Sequence, residues 1–235
     1  LTLSGACLNI ASYALNTFLP ALMIRYHHAT VAEAGIVGAV VFGLTGLVGL
    51  TLGGQVADRV HLSYPSGRLK LGAGCLLIAA PLLWLGLNRP PGEIIQVTVL
   101  LALGWTLWFM YFVTVYPTVQ DVVEPRLRAT AMALFFFFQY VLGAGFGTLI
   151  TGLLSDRFAA DAMRAAGATE LTEAMRAVGL HASLSAVVPL AVLLTGVALL
   201  LASRHFAADA AKVAGVQQRT DPSVSPAPTT GGKRT

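Results

Sequence analysis

Six long apolar runs dominate this sequence and limit what it can fold into. Each holds about 20 mainly apolar residues, the length that a helix needs to cross a hydrocarbon core of about 30 Å. Stretches such as LTGLVGLTLGG and ALFFFFQYVLGAGFG do not alternate, which argues against the strands of a membrane barrel. The sequence therefore predicts an all-α membrane protein with six spans, at 3–24, 34–56, 70–87, 94–116, 130–154 and 183–203.

Composition supports this class. Hydrophobic residues make up 56% of the chain and charged residues only 11%, whereas a soluble domain carries about a quarter charged residues. Cys7 and Cys75 fall inside the first and third runs, so we expect neither a disulfide nor a metal site. We also expect no cofactor.

The basic residues indicate the orientation. Ten lie at one side of the predicted spans: Arg59, Arg68, Lys70, Arg126, Arg128, Arg204, Lys212, Arg219, Lys233 and Arg234. The other side has five basic residues accompanied by six acids. The positive-inside rule places the first side in the cytoplasm, and six crossings then put both termini there. We expect an integral, multi-pass protein of a bacterial inner (plasma) membrane. This topology explains the positive charge without a nucleic-acid partner.

The two ends of the chain differ in character. Leu1 stands almost directly before the first run, which suggests that the chain begins within a longer protein. The stretch TDPSVSPAPTTGGKRT at 220–235 is rich in Pro, Ser, Thr and Gly and lacks an apolar period, so we expect residues 207–235 to form a disordered cytoplasmic tail after a six-helix domain at 1–206. Before the last span, Leu171, Met175 and Val178 share one helical face and Gly179 follows, which predicts either a short amphipathic helix or a plain connector.

One motif occurs twice. GLVGLTLGGQVADR ends the second run and GAGFGTLITGLLSDR ends the fifth, and each closes the middle helix of a three-helix set. The matched residues are Gly54, Asp58 and Arg59 in the first copy and Gly152, Asp156 and Arg157 in the second; Gly49 and Gly147 also match at the same spacing. Because three is odd, the second set enters the membrane from the opposite side, so the fold class is two inverted three-helix repeats. Alternatively, the glycines serve only close helix packing.

The stretch GGQVADR followed by GRLK resembles the cytoplasmic loop signature of the major facilitator superfamily. Gly54, Asp58 and Arg59 match in register, and Gly67, Arg68 and Lys70 match after an insertion. YALNTFLPALMIRYH and VVEPRLRATAMALFFFFQYVLGAGFGTLITGLLSDRF look like spans of the Spinster-like branch. The resemblance covers residues 1–205. It implies the C-terminal half of a twelve-helix secondary carrier for a small organic or lipid-like solute, with the N-terminal six-helix half as its missing partner.

The resemblance also implies roles for charged residues. Asp58, Arg59, Arg68 and Lys70 would form a cytoplasmic gate that holds the two halves together while the cavity faces outward. Arg128 resembles the basic residue that receives an acid from the partner half. The alternative for all of them is that they anchor the loops at the lipid headgroups.

Substrate candidates are the polar and aromatic residues inside spans. Asn9, Tyr13 and Asn16 share one face of the first span, beside Thr17. They face either a cavity or a neighbouring helix through hydrogen bonds. Trp105 and Trp108 of the fourth span either line a solute path or belong to an interfacial belt. Gln139, in the fifth span, is either packed or cavity-lining. No span carries a charged residue or histidine near its centre, so this chain offers no obvious proton relay.

Two other function classes compete with transport. An intramembrane protease needs a serine in a Gly-x-Ser-Gly setting or a His-Glu-x-x-His metal motif, and the sequence contains neither. We therefore do not expect an enzyme. The remaining alternative is a six-helix membrane assembly protein that does not transport; it predicts no polar cavity face on the first span.

Overall fold

The structure, a computed structural model, describes residues 1–63 and 67–220 and is helical throughout its regular segments. Six segments of the described chain are long and apolar enough to cross a membrane, as predicted. The helices are α1 (Thr2–Arg25), α2 (Val31–Gly38), a π-helical segment (Ala39–Leu44), α3 (Thr45–Ser63), α4 (Gly67–Leu87), α5 (Ile94–Asp121), a 3₁₀ turn (Pro125–Leu127), α6 (Arg128–Ala165) and α7 (Glu173–Thr220). The second span consists of α2, the π-helical segment and α3, which follow one another without a break.

Several helices continue past the apolar runs. α6 extends to Ala165, and α7 begins at Glu173, ten residues before the predicted span. An apolar run marks the hydrocarbon core, whereas the alanine-rich sequence on either side keeps a high helix propensity in water. The segment before the last span, for which the sequence allows either a short amphipathic helix or a plain connector, is neither as a separate element, because from Glu173 onward it is the first part of α7. Its stop signal, Gly179, lies inside α7, where the backbone approaches Ser155 and Ala159 of α6 too closely for a Cβ.

The tail also differs from the expectation of disorder. α7 continues through 207–220, because the sequence FAADAAKVAGVQQR consists mostly of good helix formers. Residues 221–235 of the predicted tail lie outside the described residues. The boundary at 206 therefore marks the end of the span and not the end of helical structure.

The bundle has two ends, which we name after one residue each. At the Asp58 end, α1 begins, α3 ends, α4 begins and α5 ends; Arg68 there contacts both Asp58 and Asp121. At the Arg25 end, α1 ends and α7 begins, with Arg25 beside Glu173. The segments richest in basic residues lie at the Asp58 end, as the charge pattern predicts.

The two triplets pack as inverted repeats. The first triplet is α1, the second span and α4; the second is α5, α6 and α7. The middle helix of each triplet packs on the first helix of the other, α3 on α5 and α6 on α1, and the third helices α4 and α7 pack on each other. Since α1 and α5 run in opposite directions, the relation is an inversion. The predicted fold class is confirmed.

A pair of equivalent glycines makes the two inter-triplet contacts possible. A Cβ at Gly49 of α3 would lie 2.8 Å from the carbonyl oxygen of Thr106 in α5, and a Cβ at Gly147 of α6 would lie 2.8 Å from that of Ile10 in α1. Neither helix pair could approach this closely with a side chain in that position. The repeat seen in the sequence therefore has a packing role at Gly49 and Gly147.

The middle spans are also the least covered. Only 28% of the second span and 22% of the fifth are buried, against 44–50% for the other four. Large apolar side chains on these two spans are exposed, among them Ile36, Leu47, Phe137 and Phe146. Each middle span thus packs on one side only, and its opposite face is bare among the described residues.

Candidate functional site

The Asp58 end carries a three-residue ion network that joins three helices. Nη2 of Arg68, at the start of α4, donates to Oδ1 of Asp58 in α3 at 3.0 Å. Nη1 of Arg68 lies 3.7 Å from Oδ2 of Asp121, the last residue of α5. The Arg68 side chain is 16% exposed and that of Asp58 is 74% exposed. The arginine is therefore enclosed by the bundle, while Asp58 presents its other carboxylate oxygen outward. We call these three residues the Asp58 network.

Asp121 is a member that sequence reasoning missed. Asp121 lies just after the fourth predicted span, 94–116. It is more than fifty residues after Arg68, and no motif links the two. The only available signal was its charge, because it is an acid at the end of a span that also carries basic loop residues.

The other predicted gate residues surround this network. Arg59 and Lys70 are exposed. Nε of Arg128 donates to the backbone oxygen of Gln120 at 3.0 Å, which joins the start of α6 to the end of α5. At Gly54 an added Cβ would meet no atom within 4 Å. Within the described chain, the motif glycine therefore borders open space, and its neighbour Gly53 makes the tight contact, with Met110 and Val113 of α5.

The second copy of the motif lies at the Arg25 end. Gly152, like Gly54, would place a Cβ in open space. Asp156 and Arg157 are exposed. Asp156 and Gly152 border a pocket of about 390 Å³, together with Thr17, Arg25 and Arg176. Among the described residues Asp156 makes no ion pair, unlike its counterpart Asp58.

Asn9 and Gln139 lie between two helices. Nδ2 of Asn9 in α1 donates to the backbone oxygen of Gln139 in α6 at 3.1 Å, and both side chains are buried. Gly143, one turn further along α6, lies directly against Cβ of Asn9. Oε1 of Gln139 has no hydrogen-bond partner within the described chain. These two residues join α1 to α6.

The rest of the polar face of α1 opens outward. Tyr13 is half-buried, and Asn16 and Thr17 are exposed. Nδ2 of Asn16 donates to the backbone oxygen of Ser12 at 3.0 Å, one turn back in the same helix. An amide in mid-span that bonds only its own helix keeps its carbonyl oxygen available for another partner.

Trp105 and Trp108 form a stacked pair on α5. Their ring centroids are 4.6 Å apart and their planes differ by 8°. Phe42 of the π-helical segment meets Trp105 edge-on at 5.4 Å, and Phe112 meets Trp108 edge-on at 4.9 Å. Both tryptophans are buried, and Nε1 of Trp108 has no partner among the described residues. The pair therefore lies against the only π-helical turn of the described chain; such turns are frequent at functional sites.

A histidine cluster at the Arg25 end was also missed by sequence reasoning. His27 is 1% exposed, so both of its ring nitrogens are shielded from solvent. Tyr26 stacks on His181 of α7 at 4.1 Å, and Nε2 of His181 lies 2.9 Å from the backbone oxygen of Leu87. Burial, with a smaller effect of His181 and His28, lowers the pKa of His27 to about 4. His27 is therefore neutral at ordinary pH.

The family follows from comparison with known proteins. The family profile of the Major Facilitator Superfamily matches residues 1–148, well over half of the chain. The chain belongs to the Major Facilitator Superfamily. Members of this superfamily are membrane transporters rather than enzymes.

Several relatives cover part of this superfamily member. An MFS-type efflux pump of Mycolicibacterium smegmatis is 30% identical over 156 residues, which is 66% of this chain and 36% of the pump. Human protein spinster homolog 3 is 34% identical over 112 residues, which is 48% of this chain and 22% of the relative. The chain thus spans between about a fifth and a third of the length of these relatives.

Solved structures show the same fold. A bacterial homolog to the human lysosomal transporter Spinster, in an inward-facing and unoccupied conformation, superposes with a TM-score of 0.78 at 23% identity. The match covers 88% of this chain and 47% of that one. The inward-facing and occupied form gives a TM-score of 0.74 and covers 49% of its chain. The six-helix bundle therefore corresponds to about half of a Spinster-like structure.

Proposed function

We propose that this chain is one six-helix half of a twelve-helix carrier, which moves a small organic or lipid-like solute across the membrane by alternating access. The observation that carries the proposal is the pair of bare middle spans. The second and fifth spans pack well on one side and expose apolar side chains on the other. The match covers only 47% of the solved chain, which leaves enough chain for a second six-helix half that would cover these faces.

In this proposal the Asp58 network is the cytoplasmic gate. The enclosed Arg68 fixes the first carboxylate oxygen of Asp58, and the outward oxygen is free to accept a hydrogen bond from the partner half. Open space beside Gly54 lets a partner helix approach within backbone contact distance. Arg128 extends the charged surface to the start of α6.

The solute path of this half is uncharged and amphiphilic. Its exposed part consists of the outward-facing Tyr13, Asn16 and Thr17 of α1. The aromatic pair Trp105 and Trp108 of α5 is buried in this structure and would border the path as the cavity opens. No charged side chain lies near the centre of a span, so this half binds the solute through apolar contact and neutral hydrogen bonds. Such a surface suits a lipid-like or small aromatic solute.

The proposed orientation puts the Asp58 end in the cytoplasm of a bacterial cell, with both chain ends on that side. It is supported by the excess of basic residues at that end. The Arg25 end, with its balanced charges, then faces outward.

Alternating access makes position 16 reachable from each side in turn. The test uses the intact carrier in which Cys7 and Cys75 are replaced by Ser and Asn16 by Cys, in right-side-out and in inverted vesicles. A membrane-impermeant maleimide labels Asn16→Cys in both preparations if the residue lines an alternating cavity. Ile78→Cys, on the exposed surface of α4, is the matched control and remains unlabelled in lipid.

A flux assay completes the test. Proteoliposomes containing the carrier take up a fluorescent single-chain amphiphile faster than empty liposomes, and covalent blockage of Asn16→Cys stops the uptake. If position 16 is labelled from neither side, α1 faces lipid or protein there and the cavity proposal fails. If it is labelled but no solute moves, the assembly alternative replaces transport.

A further inference from the structure

The pocket at the Arg25 end combines charged groups from three helices. Thr17 and Arg25 come from α1, Ser155 and Asp156 from α6, and Arg176 from the first turn of α7. Its volume is about 390 Å³, which is enough for a phosphate or carboxylate group with part of the molecule that carries it. The pocket shares Thr17 with the proposed solute path, but none of the proposed gating contacts uses it.

Two guanidinium groups in this region share one loosely held carboxylate. Nε of Arg25 lies 3.8 Å from Oε2 of Glu173, and Nε of Arg176 lies 3.9 Å from Oε1 of the same side chain. Both separations exceed hydrogen-bond length, so most N–H donors of the two arginines have no hydrogen-bond partner among the described residues. The side chain of Glu173 is 75% exposed and free to swing away. The pair of arginines is therefore available to a better-placed anion.

Comparison with the Asp58 network shows that this site is open where its counterpart is closed. Arg68 is enclosed between two acids, one of them at 3.0 Å. At the Arg25 end, the equivalent acid Asp156 pairs with neither arginine, and the pocket lies between them. The internal repeat thus supplies a closed ion network at one end and an unfilled one at the other.

We propose that this pocket is an anion-binding site, in which a phosphate or carboxylate group lies between Arg25 and Arg176 in place of Glu173. Planar guanidinium groups bind such oxyanions in pairs of parallel hydrogen bonds. The hydroxyl groups of Thr17 and Ser155 line the same pocket and can donate to the anion. The N-terminus of α7, where Arg176 lies in the first turn, adds favourable electrostatic potential. Asp156 repels the anion and confines it to the arginine side.

The anion site does not depend on the proposed transport function. The proposal predicts that arginine and acid substitutions at this site change phosphate affinity in opposite directions. We would titrate inorganic phosphate into the purified protein at constant ionic strength and follow the apparent melting temperature. Phosphate raises the melting temperature of the unmodified protein. Arg25→Gln and Arg176→Gln each weaken apparent phosphate affinity by about tenfold or more, because each removes a charge-assisted hydrogen bond. Glu173→Gln and Asp156→Asn strengthen it, because each removes a competing negative charge.

Two variants keep the test decisive. Arg164→Gln is the matched control: it removes an arginine of α6 that pairs with Asp161 and does not line the pocket, so it leaves phosphate affinity unchanged. Arg25→Lys keeps the charge with fewer donors and retains part of the affinity. If Arg164→Gln weakens phosphate as much as Arg25→Gln does, the effect is general surface charge and the site is refuted.

A second experiment distinguishes a lipid headgroup from a free anion as the occupant of the site. In lipid nanodiscs, replacing part of the phosphatidylcholine by phosphatidylglycerol raises the melting temperature through Arg25 and Arg176 if a lipid headgroup occupies the site. A response to free phosphate but not to phosphatidylglycerol identifies a soluble anion. If neither raises the melting temperature of the unmodified protein, or if Glu173→Gln weakens binding, the pocket holds no anion.

Discussion

Arg68 lies 3.7 Å from Asp121 and joins the start of α4 to the end of α5. At the opposite end of the bundle Glu173 lies 3.8 Å from Arg25 and joins the start of α7 to the end of α1. The two contacts occupy equivalent positions in the inverted triplets, with the charges exchanged. An ion pair thus joins the third helix of each triplet to the first helix of the other. These contacts favour movement of the six helices as one unit.

The glycines of the internal repeat differ in what they do. Gly49→Ala and Gly147→Ala each bring a methyl group against a backbone carbonyl, and we expect a destabilisation of about 1–3 kcal/mol. Gly54→Ala and Gly152→Ala place the methyl group in open space and leave the melting temperature in detergent within about a degree or two. Equal losses at all four positions would contradict the assignment of packing to one pair.

Substitutions of Asn9 and Asn16 distinguish helix packing from solute contact on one face of α1. Asn9→Ala removes the hydrogen bond to Gln139 between α1 and α6, and we expect a loss of roughly 0.5–2 kcal/mol. Asn16→Ala removes only a bond within α1 and leaves stability unchanged, but it lowers solute uptake. Thermal unfolding and the flux assay together test this. The interpretation fails if Asn16→Ala is the destabilising variant.

We expect the stability of the protein to depend on pH through His27 at the Arg25 end. Because folding lowers the pKa of His27 from an ordinary value of about 6.5 to about 4, the folded state disfavours the proton that the unfolded state binds. Stability is therefore fully present above about pH 6.5 and falls as the pH drops toward 4, by roughly 3 kcal/mol in total.

Apparent melting temperature as a function of pH measures this effect. His27→Phe keeps the ring contact with Tyr26 and flattens the profile between pH 6.5 and 4. His28→Asn removes only a smaller contribution to the lowered pKa of His27, and asparagine tolerates the φ of 58° at this exposed position, so this variant keeps most of the pH dependence. A profile that His27→Phe leaves unchanged would show that other groups govern the acid response.

Orientation has a direct test. Ser66→Cys, between α3 and α4, and Glu170→Cys, between α6 and α7, lie on opposite sides of the predicted membrane. In intact cells an impermeant thiol reagent labels Glu170→Cys and leaves Ser66→Cys unlabelled. The reverse pattern would invert the proposed topology.

Much of the fold was predictable because its signals are local. The apolar runs place the six spans, and the repeated Gly-x-x-x-Asp-Arg motif indicates the inversion. The helix ends were less predictable, since α6 and α7 continue in alanine-rich sequence that a hydropathy pattern does not register. The partners of Arg68 and the burial of His27 depend on loops brought together by packing, so no local pattern contains them.

The candidate cavity shows the same limit. Asn9 and Asn16 fall on one predicted face, yet the structure buries Asn9 against α6 and leaves Asn16 exposed. Seven residues turn a helix face by only about 20° but advance it by about 10 Å along the axis. The two side chains therefore lie at different depths, and the neighbouring helices decide which of them is covered.

The gate at Asp58 is the central claim, and Asp58→Asn tests it most directly. The substitution keeps the size of the side chain and removes the charge that pairs with Arg68 and that, in the proposed gate, contacts the partner half. Because Asp58 is 74% exposed, we expect the loss to be about 1 kcal/mol, which shifts a two-state ratio roughly fivefold. The measurement is the distribution of distances between two spin labels placed across the cytoplasmic mouth of the intact carrier in lipid. The account predicts normal membrane insertion, slower transport and a larger inward-open population for Asp58→Asn. An unchanged distance distribution with unchanged transport in well-inserted protein would contradict it and leave Asp58 as a residue of membrane topology.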